Sequence, residues 1–226
     1  PAQIEMLEAL MYKEGVLDSK QMGGAFAMLR AHDLLWQPAV KTYLKGERDS
    51  MIDLMAWNAD GTRMPWKMHT EYLLGLYLQN DLAQGRFKVE GEAVNLEDIR
   101  VPMFVVGTET DHVAPWKSVY KVSGLTSSPE FTFLLTSGGH NAGIISGPVH
   151  PKRRHRVRTV RAGEPKLGAD EWFDTTAPLP GSWWPTWAEW LKTHSTAERV
   201  TPPAIGAPDA GYAPIADAPG EYVRQR

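Results

Sequence analysis

Two residues of this chain stand where acyl-transfer chemistry would place them. Asp111 follows the apolar run Val101-Pro-Met-Phe-Val-Val-Gly107, and His140 follows a second run, Phe131-Thr-Phe-Leu-Leu135, through Thr-Ser-Gly-Gly. In acyl transfer a histidine takes the proton of the nucleophile and returns it to the leaving group. An acid fixes the tautomer of the imidazole and steadies its positive charge. In one large class of such enzymes the order along the chain is nucleophile, acid, histidine. Both side chains must sit on loops at strand ends, facing a cleft while the backbone is held. Gly107, Gly138, Gly139 and Gly143 flank the two positions and permit such loops. On the plainer reading Asp111 caps the following helix and His140 is an ordinary loop histidine.

The nucleophile is missing. The chain has no cysteine, and no serine stands in a G-x-S-x-G elbow. Gly143-Ile-Ile-Ser-Gly147 has one residue too many before its serine, and it follows the histidine instead of preceding the acid. The attacking group is therefore expected upstream of Pro1, if there is an attack at all. His112, beside Asp111, points elsewhere from the same loop, with packing favoured over substrate contact. The seven histidines (32, 69, 112, 140, 150, 155 and 194) form no H-x-x-x-H pair, so a metal site is not expected, and no cofactor is assigned. Lys152, Arg153, Arg154, Arg156, Arg158 and Arg161 form a basic run that could hold phosphates or RNA but reads first as a solvated loop. Trp183, Trp184, Trp187 and Trp190 have the spacing of a helix face in a core or interface. Trp57-Asn-Ala-Asp60 reads as a capped turn first and a substrate wall second.

The elements that must position these groups are legible in outline. Ile4, Leu7 and Met11 follow helical spacing, and Gly15 to Lys20 closes that pattern. Met22–Leu35, Gln37–Leu44 and Trp66–Leu82 continue a mostly helical region, with Gly46 a plausible cap. Phe87–Val89 and Ala93–Val94 flank Glu90-Gly91-Glu92 as a hairpin would. The two apolar runs, with a helix from Trp116 to Leu125 between them, predict a parallel β-α-β unit and so an α/β fold. In such sheets functional residues sit beyond the carboxyl ends of the strands, where Asp111 and His140 fall. After the second run the organisation loosens. Gly181 to Trp190 reads as an aromatic helix start, and from Thr201 Pro, Ala and Gly form an extended arm lying on the body.

Composition bounds the answer. The 226 residues suit one domain with appendages, and 42% hydrophobic residues suffice for a core. The net charge of −3, from 24 basic and 27 acidic residues, argues against a protein built around nucleic acid. The lack of cysteine excludes a disulfide scaffold and a thiolate zinc site within these residues. No apolar run reaches the roughly 18 residues of a membrane span, and a cytoplasmic protein is expected.

Several blocks together resemble the C-terminal half of class I polyhydroxyalkanoate synthases. They include Leu34-Leu-Trp with Tyr43-Leu-Lys-Gly46, Trp57-Asn-Ala-Asp60, Thr70 to Asn80, and Ile99-Arg-Val-Pro102. Asp111-His112-Val-Ala-Pro115-Trp116, Ser137-Gly-Gly-His140-Asn-Ala-Gly143, Gly181-Ser-Trp-Trp-Pro185 and Pro219-Gly-Glu-Tyr-Val223 complete the series. The resemblance runs from about residue 22 to the end, and the D-H-x-x-P-W and G-H-x-A-G blocks are its most specific part. It implies an α/β-hydrolase fold with a helical cap: residues 1–94 cap, 95–200 the C-terminal part of the core with the last two strands, 201–226 an arm. It implies polymerisation of (R)-3-hydroxyacyl units from coenzyme A thioesters, with the chain growing on a cysteine absent here. His140 matches the general base and Asp111 the acid, which either orients the histidine or activates the 3-hydroxyl of the incoming unit. His112 and Trp116 match substrate-side positions. A homodimer, a polyester granule surface as location and no activity for this chain alone follow as expectations. A serine esterase of the same fold and a non-catalytic binding module are the alternatives.

Overall fold

The computed structural model describes residues 2–29, 31–47, 50, 53–59, 61–150, 152–196 and 198–221. Asp60, Pro151, Tyr222 and Val223, named above, lie outside them. The chain divides into two compact units, Pro1–Asn80 with Pro202–Arg226, and Asp81–Thr201.

The first unit is helical and thinly cored. It holds α1 (Ala2–Tyr12), β1 (Val16–Leu17), α2 (Ser19–Leu29), α3 (Gln37–Ala39), α4 (Asp53–Ala59), β2 (Met64–Pro65) and α5 (Trp66–Tyr72). β1 and β2 pair antiparallel, and Trp66 N donates to Gly15 O at 3.1 Å. Tyr12 meets Trp66 edge to face, centroids 5.4 Å apart. The helical spacing predicted α-helices, yet 32–36, 40–44 and 73–78 are wound with five-residue hydrogen bonds, as from Gln79 N to Leu74 O. The last of these ends the predicted Trp66–Leu82 helix at Leu78. Apolar periodicity does not distinguish the two windings. In the 202–226 stretch a helical turn at Pro208–Ala210 and a bridge between Ala207 and Tyr212 interrupt the expected extended arm.

The second unit is a mixed sheet with helices on both faces. Its elements are β3 (Lys88–Val89), β4 (Glu92–Ala93), β5 (Met103–Thr108), α6 (Trp116–Tyr120), β6 (Glu130–Thr136), β7 (Arg154–Arg161), α7 (Ala169–Thr175), β8 (Leu179–Pro180) and α8 (Trp184–Thr193). β3 and β4 form the expected hairpin. The main sheet runs β5-β6-β7-β8. β5 and β6 are parallel, Met103 opposite Phe131 through Thr108 opposite Thr136, as the two apolar runs implied. The intervening helix is shorter than predicted, its last turns tightening over Lys121–Gly124.

Period-two alternation sorts the side chains. Phe131, Phe133 and Leu135 face one side, where Tyr120 and Trp172 join them in the core, with Trp116 and Phe173 packed against it. Two of the aromatic contacts there are edge-to-face: Phe133 to Trp172 at 4.9 Å and Tyr120 to Phe133 at 5.0 Å. Phe104 faces the other side and meets Trp183 and Trp190 at the start and end of α8.

β7 corrects the reading of the basic run. Arg154–Arg161 is no solvated loop. It is an eight-residue strand, antiparallel to β6 from Thr136 opposite His155 to Glu130 opposite Arg161, so the sheet extends past the two predicted strands. Arginine hides the alternation because its long stem can line a buried face while its head finds a polar partner. Arg156 lies over the Phe173 ring, 4.2 Å from its centroid, and donates to Thr176 O. Arg158 donates to Thr175 Oγ1 at 3.0 Å. Arg154 pairs with Glu109 at 2.7 Å and Arg161 with Glu130 at 3.1 Å. These four side chains each have a partner within the unit.

Candidate active site

The exits of β5 and β6 are stitched together by backbone. Glu109 N donates to Thr136 O at 2.9 Å and Thr110 N to Gly138 O at 3.1 Å. Parallel strands in register end side by side, so their exit loops meet, and these two bonds carry the pairing into the loops. The second loop then folds tightly, with Gly143 N on Gly139 O at 2.9 Å. Two glycines make that fold possible. Gly138 has φ +112°, and a Cβ on Gly143 would fall 2.7 Å from Thr108 Cγ2.

Asp111 and His140 are thereby brought into contact. His140 Nδ1 lies 2.9 Å from Asp111 Oδ2. The carboxylate is 8% exposed and the imidazole 44%. The carboxylate also accepts from Thr108 Oγ1 at 3.2 Å, and from Val113 N and Ala114 N at 2.8 Å each. Oδ1 of Asp111 thus closes the turn before α6, and Oδ2 contacts the histidine. Burial pushes its pKa up. The Ala114 hydrogen bond, the His140 hydrogen bond, the Val113 hydrogen bond and the charge of His140 outweigh that and hold it below the usual carboxylate value.

An ionised carboxylate can only accept, so the bond fixes the proton on Nδ1 and leaves the lone pair on Nε2 of a half-exposed ring. That arrangement suits a general base. Nothing in the chain supplies a thiol for it to deprotonate, since cysteine is absent. Ser146, the serine of Gly143-Ile-Ile-Ser-Gly147, is buried; it donates to Ala142 O and accepts from Arg153 Nε at 2.8 Å, so its hydroxyl is structural.

The remaining sequence candidates separate. His112 is exposed and makes no hydrogen bond to another described residue, contrary to the packing favoured for it. Trp116 lies in the aromatic cluster, 5.7 Å from Phe173 and 6.1 Å from Trp172, where it anchors α6 to the core. Thr108 and Arg153 were not anticipated. Thr108 ends an apolar strand, and Arg153 was hidden in the basic run. Among the described residues no group of three or more His, Cys, Asp or Glu side chains could hold a metal. No described helix is long and apolar enough to cross a membrane.

No protein-family model matches the chain. Individual relatives do. The poly(3-hydroxyalkanoate) polymerase subunit PhaC of Rhizobium etli is 40% identical over 225 residues, covering 99% of this chain and 34% of that protein. The subunit of the same name from Rhizobium meliloti is 38% identical over 226 residues, 99% of this chain and 35% of that protein. That of Cupriavidus necator is 35% identical over 212 residues, 93% and 35%. The chain spans about a third of the length of the curated relatives it matches. Identity of this order from end to end makes the chain a relative, along its whole length, of the poly(3-hydroxyalkanoate) polymerases.

Proposed function

We propose that this chain is the base-and-acid part of an acyltransferase that polymerises (R)-3-hydroxyacyl units from coenzyme A thioesters. The single observation that carries the reading is the 2.9 Å contact between His140 Nδ1 and Asp111, which leaves the lone pair on Nε2, without a hydrogen-bond partner among the described residues. The thiol comes from polypeptide outside these residues. His140 Nε2 takes its proton as sulfur attacks the thioester carbonyl, and the imidazolium returns that proton to the departing coenzyme A sulfur. In the elongation step the same nitrogen takes the proton of the 3-hydroxyl as its oxygen attacks the thioester carbonyl of the growing chain, and the imidazolium returns that proton to the thiolate that leaves. Asp111 orients the ring in both steps. Its four accepted hydrogen bonds favour that role over direct contact with substrate, because its oxygens are already occupied. His112, exposed beside it, is placed to meet the incoming substrate.

The fold is that of the C-terminal part of an α/β-hydrolase core with a helical cap, residues 1–94 being the cap, 95–200 the core and 201–226 the arm. The parallel β5–β6 pair with functional residues at its carboxyl ends supports this. The parent enzyme works as a homodimer in the cytoplasm, at the surface of its polyester granule. Large exposed apolar side chains in the first unit, among them Trp36, Tyr43 and Leu44, support an associating surface.

A chimera tests the reading. This chain replaces the matching third of a full-length relative, and thiol release from (R)-3-hydroxybutyryl-CoA is followed. The chimera is expected to turn over, and His140→Gln within it to fall by about 10²- to 10⁴-fold. A folded but silent chimera, or an undiminished His140→Gln variant, overturns the reading. The isolated chain is expected to resist acylation by the same thioester, as mass spectrometry would show.

A further inference from the structure

The loop from Ser137 to Gly147 carries His140, and its polar backbone is taken up by side chains from outside it. Arg153 is at the centre of that arrangement. Its Nη1 donates to Ser137 O at 3.1 Å, its Nη2 to Ala142 O at 3.0 Å and its Nε to Ser146 Oγ at 2.8 Å. Ser137 lies three residues before His140 and Ala142 two residues after it. A single planar fork therefore spans the histidine and fixes the separation of the two ends of its turn. The loop is also shaped to admit that fork: a Cβ on Gly138 would stand 2.5 Å from Arg153 Nη1. Farther along, Ser182 Oγ donates to Ser146 O at 2.8 Å. The indole N–H groups of Trp183 and Trp184 both donate to Ile144 O, at 3.1 and 2.8 Å.

We propose that Arg153 is a positioning residue for His140, acting through the geometry of its guanidinium fork and not through its charge. The proposal rests on the reading of His140 as general base. Its partners in the loop are two carbonyls and a hydroxyl, and it forms no ion pair with a carboxylate among the described residues. A half-buried cation held by neutral acceptors defines directions more than it neutralises charge. The backbone bond from Thr110 N to Gly138 O ties the same loop to the Asp111 side. Displacing Ser137 and Ala142 therefore moves His140 away from a carboxylate that its own turn keeps fixed.

Arg153→Lys separates fork from charge, because an ammonium keeps the charge but cannot reach all three acceptors in one plane. The first readout is the ¹⁵N-coupled Nδ1–H resonance of His140 in the labelled chain, which exists only while the bond to Asp111 shields it from water. In Arg153→Lys that resonance is expected to be lost to exchange while the methyl signals of Leu134 and Leu135 stay in place. In the chimera described above, kcat is expected to fall about 10²-fold with KM little changed, as for a misplaced catalytic group. Guanidinium ion added to Arg153→Ala is expected to restore turnover, and to leave His140→Gln unchanged.

An Arg153→Lys chain that keeps the Nδ1–H resonance overturns the proposal, whether its turnover is kept or lost. So does a folded Arg153→Ala chimera that guanidinium fails to rescue. If Arg153→Ala does not fold, the lysine variant decides. Absence of the resonance from the unsubstituted chain would instead remove the site reading itself, and the proposal with it.

Discussion

Asp111 joins two duties that are usually given to separate residues. One oxygen closes a turn through the amides of Val113 and Ala114, and the other orients His140. Asp111→Asn separates them. The amide oxygen still accepts from the two backbone groups, so the turn survives, but the amide nitrogen now faces Nδ1 and drives the imidazole to the wrong tautomer. In the chimera kcat is expected to drop by roughly 10⁴-fold with the fold retained, checked by turnover alongside circular dichroism. The same carboxylate links stability to pH. Its folded pKa lies below its unfolded value of about 3.9, so its contribution is complete above that value and drains away as the pH falls through the folded pKa. The unsubstituted chain is thus expected to lose stability below about pH 4 more steeply than Asp111→Asn, as urea denaturation across that range would show. At this scale the sequence was most readable where a residue's type and its place after a strand agreed, as for Asp111 and His140. Arg153 was not readable, because two of its three partners are backbone carbonyls, and nothing in a sequence marks which carbonyl is free.

Among the elements, β5 and β6 announced themselves as short apolar runs with glycine-rich exits. β7 did not, since Arg154, Arg156, Arg158 and Arg161 broke the apolar signal that a strand usually gives. The strand exists because neighbours convert those arginines into good partners: Phe173 offers a ring face and Glu109 and Glu130 offer carboxylates. α7 was likewise unread, though it contributes Trp172, which is fully buried between Phe133, Tyr120 and Trp116. Trp172→Ala is expected to cost about 3–5 kcal/mol, read from the denaturation midpoint, because so large a cavity cannot close around rigid rings. Gly138→Ala is an element-level test of a different kind. Its φ of +112° and the guanidinium in its path mean that the His140 loop must shift to admit a methyl group. Turnover in the chimera is expected to fall further than stability does, with the melting temperature and kcat compared side by side.

For the whole molecule, the contrast is between a well-packed sheet unit and a helical unit with little interior. In the helical unit Trp36 is 67% exposed, Tyr43 85% and Leu44 79%. Apolar surface of that extent is expected to draw chains together, so sedimentation at rising concentration should show a two-fold species, and a monomer throughout would remove the dimer from the proposed function. The sheet has a further property, since its two margins differ in kind. At one, β8 consists of two residues and ends in Pro180, which has no N–H to offer another strand. At the other, β5 is six residues long and has a neighbour on one side only among the described residues. One margin is finished and the other is open, so in the chimera a strand from the relative's own polypeptide is expected to join beside β5. The amides of Met103 to Thr108 that point away from β6 should exchange freely with deuterium in this chain alone. They should become slow once that polypeptide is attached, while exchange along β8 stays as it was.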